Sequence, residues 1–132
     1  MRKLHLIIII GIGMLVMASC QESLEERCER EAQEYTKKNC PVEVANDIIL
    51  DSMTFDRNTH TISYCYSIKG MLDNAELFKR NDPREKLLIQ VRNSTNLKLY
   101  KEAGYSFNYV YHSTQNKGTQ LYQATFHEKD YQ

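Results

Sequence analysis

The side chains able to do nucleophilic, acid–base or metal chemistry are few and scattered in this sequence. Cysteine occurs at positions 20, 28, 40 and 65, and histidine, beyond the first ten residues, at 60, 112 and 127. A zinc site or a Cys–His nucleophile requires several of these to converge on one point, and the spacing of Cys28, Cys40, Cys65, His60, His112 and His127 promises no such convergence. His60 falls at the end of a turn, and His112 and His127 fall at strand ends that a hairpin could bring onto neighbouring strands. Exposed strand-end histidines are the expectation. Asp51 and Asp56 flank a strand and could hold a cation, but aspartate at such places is ordinary turn chemistry. HExxH, CxxC, a P-loop, a glycine-rich dinucleotide fingerprint and GxSxG are all absent. No catalytic residue, metal or cofactor is expected.

Cys28 and Cys40 bracket most of a predicted helix. At 1.5 Å per residue their Cα atoms lie roughly 18 Å apart, beyond the roughly 7 Å reach of a disulfide. A bridge, if one formed, would use Cys65. Buried free thiols are the expected outcome for all three. Asp51-Ser52-Met53 resembles the Asp-Ser/Thr-apolar site of bacterial envelope O-glycosylation, which makes Ser52 a candidate modification site, blocked after folding if its strand is central.

The N-terminus reads as an address. Arg2 and Lys3 precede an uninterrupted apolar run from Leu6 to Val16, and the small residues Ala18 and Ser19 precede Cys20. This is the layout of a secretory signal, and the run is shorter than the ~20 residues of a membrane span. Met17-Ala18-Ser19-Cys20 resembles the lipobox of bacterial lipoproteins. The resemblance implies cleavage between Ser19 and Cys20 and lipid on Cys20, several acyl chains being what stable anchoring takes. Gln21 after the cysteine fits outer-membrane sorting. Residues 1–19 are thus expected to be a signal peptide, 20–45 the lipidated N-terminus with a first helix, and 46–132 the remainder of the same α+β domain.

Removing residues 1–19 of 132 leaves 113, with 15 basic and 17 acidic side chains. That suffices for one modest core, and no basic patch recommends a nucleic-acid partner. Nine tyrosines and no tryptophan give apolar area with polar tips.

Periodicity supplies the elements that must position these residues. Glu22 to Lys38 predicts a helix with Leu24, Cys28, Ala32 and Tyr35 on one stripe and Ser23 with Glu26 as a capping box. Ile48–Phe55 and Thr61–Ile68 predict a hairpin, the second strand alternating Ile62, Tyr64, Tyr66 and Ile68 against Thr61, Ser63, Cys65 and Ser67. Asn74–Arg80 predicts a short helix. Asp82-Pro83-Arg84-Glu85 starts another, Asn93–Asn96 interrupts it, and Leu97–Ala103 resumes before a Gly104 cap. Tyr105–His112 and Thr119–His127 predict two more strands, followed by a polar tail. The expected order is α-β-β-α-β-β, with two helical segments packed on one face of a four-stranded antiparallel sheet and the tyrosine rows in the covered core.

Residues 46–127 also resemble a family of small bacterial envelope lipoproteins to which no activity is assigned. The stretches that carry it are Leu50–Phe55, Asn93–Leu97 and Glu102–Tyr111, so the resemblance implies structure and transfers no catalytic residue. The reading that follows is a membrane-anchored, non-enzymatic module that binds another envelope component through a sheet face, edge or hairpin loop. An inhibitor of a secreted hydrolase acting through loops Asp56–His60 and Ser113–Gly118, or a small-ligand carrier, are the alternatives.

Overall fold

The computed structural model describes residues 21–132. The signal segment, Ser19 and Cys20 lie outside the described residues. The chain runs α1 (Leu24–Asn39), β1 (Val42–Ala45), β2 (Ile48–Asp56), β3 (Thr61–Ile68), a single 3-10 turn (Gly70–Leu72), α2 (Ala75–Arg80), α3 (Pro83–Asn93), α4 (Lys98–Glu102), β4 (Ser106–Ser113), β5 (Gln120–Phe126) and α5 (Glu128–Tyr131). The five strands form one sheet in the order β1-β2-β3-β4-β5.

The α+β class follows the sequence; the sheet does not follow it in detail. It has five strands rather than four, because Val42–Ala45 folds back on β2 through a tight turn at Asn46 and Asp47, the latter at φ +64°. The sheet is also mixed. β3 and β4 pair in parallel, from Thr61 opposite Ser106 to Ile68 opposite Ser113, whereas every other neighbouring pair is antiparallel. Alternation of apolar and polar residues fixes which face a side chain takes, and it is the same for either strand direction. The connection decides: β3 and β4 are joined by a long crossover through α2, α3 and α4, which is what a parallel pair requires.

The helices cover one face, as expected. Ile62, Tyr64, Tyr66 and Ile68 of β3 stand beside Phe107, Tyr109 and Tyr111 of β4, and β5 adds Phe126, Ala124 and Tyr122 in register. Phe107, Phe126, Ile68 and Val91 are completely buried at the centre. The predicted polar tail instead makes α5, whose Tyr131 is buried, with its hydroxyl donating to the Tyr105 carbonyl at 2.8 Å. Gly104 takes φ +77° after α4, a left-handed conformation that makes this cap glycine.

α1 has a structural duty that its apolar stripe does not reveal. β1 reaches along β2 only as far as Leu50, and the β2 edge beyond it has no strand partner on that side. There the Thr36 hydroxyl of α1 donates to the Met53 carbonyl at 3.0 Å and accepts from the Met53 N–H at 2.9 Å. One side chain thus replaces a missing strand, satisfying two backbone groups. Arg57 and His60 in the β2–β3 turn then pair with Glu29 and Glu25 of the same helix. Thr36→Val keeps the shape but leaves the Met53 groups unpaired, and it should destabilise the fold by about 1–3 kcal/mol. Thr36→Ser should cost much less. Urea unfolding midpoints of the two variants check the difference.

A tyrosine-floored cleft as the candidate functional site

α1 stands over β2, whereas α2 and α5 cover the β5 side and α3 packs against those two helices. Between the two groups a cleft of about 410 Å³ opens over the sheet, within the size range of ligand sites. Its floor is Leu50, Met53, Ile62, Tyr64, Tyr66 and Tyr109. One wall is α1, with Cys28, Glu31, Ala32 and Tyr35; the other is Gln90, Ser94, Asn96, Leu97 and Tyr100. This second wall exists because α3 stops at Asn93 and α4 restarts at Lys98. The stop is fixed by Lys101, whose Nζ donates to the carbonyls of Val91 and Arg92 at 2.9 Å each, a cation on a helix C-terminus.

Parallel register stacks the floor. Tyr64 and Tyr109 have ring centroids 4.9 Å apart and nearly parallel planes, and Tyr66 lies 4.6 Å from Tyr111. Rings that stack side by side across strands stand up from the sheet and turn their hydroxyl tips toward the helix layer. Among the described residues the hydroxyls of Tyr64, Tyr66 and Tyr109 make no hydrogen bond. Burial pushes all three phenols up, Tyr66 to about 12 with the nearby Tyr35 adding to it. They remain protonated donors at any physiological pH.

Glu31 is the one charged residue in the lining, and it is occupied. Tyr100 donates to its Oε2 at 2.6 Å and Arg27 to its Oε1 at 2.7 Å. Burial works to raise its pKa, but these two partners outweigh burial and hold the carboxylate below the usual range. Cys28 is buried beside it, and burial, reinforced by the Glu31 charge, pushes the thiol up to about 12. The cleft therefore offers neither a poised base nor a thiolate nucleophile. It presents uncharged hydrogen-bonding groups among apolar side chains.

The residues singled out by type do not converge. Cys28, Cys40 and Cys65 are free thiols; Cys28 faces the cleft, Cys65 sits on the opposite face of the sheet across from Ser52, and Cys40 caps α1. His60 Nε2 pairs with Glu25 at 2.8 Å, and its ring stacks on Tyr105. His112 and His127 are not neighbours, because β5 runs the full length of β4 between them. Among the described residues no group of three His, Cys, Asp or Glu could hold a metal ion. Asp51 sits at a bulge in β2, where its carboxylate accepts from Ser67, and Asp56 closes the turn by accepting from the Asn58 N–H at 2.9 Å. Ser52 is half-buried on β2. The loops 56–60 and 113–118 cannot form one inhibitory surface, since the parallel β3–β4 pairing puts them at opposite ends of the sheet.

Sequence reasoning missed Ser106, whose hydroxyl lies 2.8 Å from His127 Nδ1. The pair resembles a nucleophile and base, but the Asp130 carboxylate that could orient the imidazole is spent on the His127 backbone N–H. The open face is polar and ties its own groups together: Asn108 donates to Ser63, and Gln123 and Thr125 donate to Asn108 Oδ1.

A family model described as a domain of unknown function (DUF8479) matches residues 23–122. The chain belongs to that family. The stretch matched by DUF8479 contains every residue that lines the cleft. No curated protein matches the chain. Among solved structures, the fold of this DUF8479 chain is similar to that of a secreted protein from Pseudomonas aeruginosa, with a TM-score of 0.69 at 16% identity over 83% of this chain and 98% of that one. It is also similar to EpsS, the pilotin of the Vibrio vulnificus type 2 secretion system, with a TM-score of 0.57 at 9% identity over 82% and 94% of the two chains. At such identities the likeness is one of fold.

Two outcomes follow from the shifted groups. Alkylation of the folded protein at about pH 8 should modify Cys28 about a thousandfold more slowly than an ordinary thiol, since its pKa rises from 9.0 to about 12 and only the thiolate reacts; timed peptide mapping reads this. Stability should fall as pH rises from about 10 toward 12. In that window unfolded tyrosines, with an ordinary value of 10.0, lose protons that Tyr66 in the fold retains, so the unfolded chain binds fewer protons. Denaturant titrations at about pH 9 and about pH 11 test the sign.

Proposed function

We propose that this chain is a non-enzymatic binding protein of the bacterial cell envelope, anchored by lipid on Cys20 after removal of residues 1–19, and that it holds its partner in the tyrosine-floored cleft. The observation that carries the reading is the chemistry of that cleft. It has protonated phenol donors, apolar side chains interspersed with uncharged amides, and a carboxylate already paired with Arg27 and Tyr100, which suit recognition and do not suit proton transfer or nucleophilic attack. The fold shared with a secreted protein and with a secretion-system pilotin supports an envelope setting and an interaction role. No helix among the described residues is long and apolar enough to cross a membrane.

The open face is a weaker recognition surface than the cleft. Its amides and hydroxyls already satisfy one another, whereas the cleft keeps its donors free. The anchor and the site are tested separately. Cys20→Ala should abolish incorporation of labelled palmitate and move the protein from the membrane to the soluble fraction; retained label overturns the anchor. A photo-crosslinker placed at Ser94 in cells should give one dominant adduct that the same group at Ser63 on the open face does not. Equal adducts from both faces would remove the cleft from the proposal.

A further inference from the structure

The geometry points to an extended, uncharged polypeptide segment as the occupant of the cleft, its backbone carbonyls accepting from the hydroxyls of Tyr64, Tyr66 and Tyr109. This rests on the cleft being the binding site and adds the chemistry and conformation of what it takes.

Three observations carry it. First, the floor donors have strand spacing. Tyr64 and Tyr66 are two residues apart on β3, hence about 6.6 Å, and carbonyls on one side of an extended chain repeat at the same interval of about 6.6–6.8 Å. A segment running along β3 therefore meets a rail of two donors in step with its own acceptors, and Tyr109, level with Tyr64 on β4 with ring centroids 4.9 Å apart, supplies a second donor at the first of them. Second, these hydroxyls have no partner among the described residues, and neither do the side chains of Gln90, Ser94 and Asn96 on the wall above. Amide oxygens at Gln90 and Asn96 can take the N–H groups that an extended segment turns away from the floor. A helix would not serve, because its carbonyls are consumed by its own hydrogen bonds. Third, the lining carries no unpaired charge. Glu31 is held by Arg27 and Tyr100, and no cation lines the cleft, so an acidic ligand finds no counter-charge and a basic one finds a carboxylate already neutralised. Leu50, Met53 and Leu97 accept apolar side chains between the polar contacts.

The test uses the full chain, lipidated and purified in detergent, with a displayed library of random heptapeptides as the probe. Enriched peptides are synthesised and their affinities measured against the unaltered protein, the double variant Tyr64→Phe/Tyr66→Phe and the cleft-filling variant Ser94→Trp, with circular dichroism checking each fold. The phenylalanine variant removes only hydroxyls that lack a partner, so it should fold as well as the parent. The expected result is uncharged peptides rich in strand-forming residues, with binding weakened by about 10- to 100-fold in the double variant, about three- to tenfold for each lost hydrogen bond, and abolished by Ser94→Trp. Peptides that bind the parent, fail with Ser94→Trp and are indifferent to the two phenylalanines would overturn the carbonyl rail and leave the cleft as the site. Enrichment of charged or helix-forming peptides would overturn it likewise. Binding indifferent to Ser94→Trp, or no enrichment at all, would overturn the rail and the cleft together.

Discussion

Parallel pairing of β3 with β4 is the constraint on which the rest of the molecule depends. An antiparallel neighbour could have followed β3 after a two-residue turn; a parallel one cannot, and the chain must return across the sheet before β4 begins. That return is α2, α3 and α4, so the helix layer over β4 and β5 is a consequence of strand direction. The same pairing puts Ile62, Tyr64 and Tyr66 level with Phe107, Tyr109 and Tyr111, which turns two separate alternating patterns into stacked pairs of rings. Asp73, just ahead of α2, secures the return by accepting from the backbone of Thr114 and Gln115 in the β4–β5 turn.

Parallel strands are usually covered on both faces, and this pair is covered on one. The exposed side is tolerable because it is polar throughout β3 and most of β4, and because Ser63, Asn108, Gln123 and Thr125 satisfy one another across three strands. The covered side has the opposite character. Tyr64, Tyr66 and Tyr109 lose much of their solvent without a hydrogen-bond partner among the described residues, so their phenols are held neutral well beyond their ordinary range. Among the described residues the one fully buried side-chain polar atom without a partner is Asp73 Oδ1, so the three phenols keep a trace of solvent at their tips and escape the full cost of an orphaned group.

Much of the architecture was legible in the sequence, and the reasons are physical. Periods of 3.6 and 2 located α1, β2, β3, β4 and β5 to within a residue or two, and the same alternation assigned Tyr64, Tyr66, Tyr109 and Tyr111 to the covered face. Strand direction was not legible, since a palindromic pattern such as Ile62-Ser63-Tyr64-Cys65-Tyr66 reads alike both ways. β1 was missed because four residues after Pro41, three of them apolar, carry too short a pattern. The cleft was only half visible. Its floor could be read from tyrosines at spacing two, but its far wall comes from the break at Asn93–Asn96, which looks like any polar interruption until Lys101 is seen capping α3. Thr36 gave no signal at all, because its partner is backbone 17 residues away.

The two walls of the cleft are held to the sheet by unlike means. α1 is bonded to the β2 edge through Thr36 and to the β2–β3 turn through Glu25 and Glu29, so displacing it would bare a strand edge as well as break the Arg57–Glu29 ion pair and the His60–Glu25 contact. The opposite wall rests on two short helices joined by a loop, on the Lys101 side chain and on Tyr100, whose hydroxyl reaches across to Glu31 of α1. The cleft is therefore asymmetric as a mechanical object: α1 is tied to the backbone of the sheet, while the other wall is tied through Tyr100 to α1, so α1 sets the datum for both.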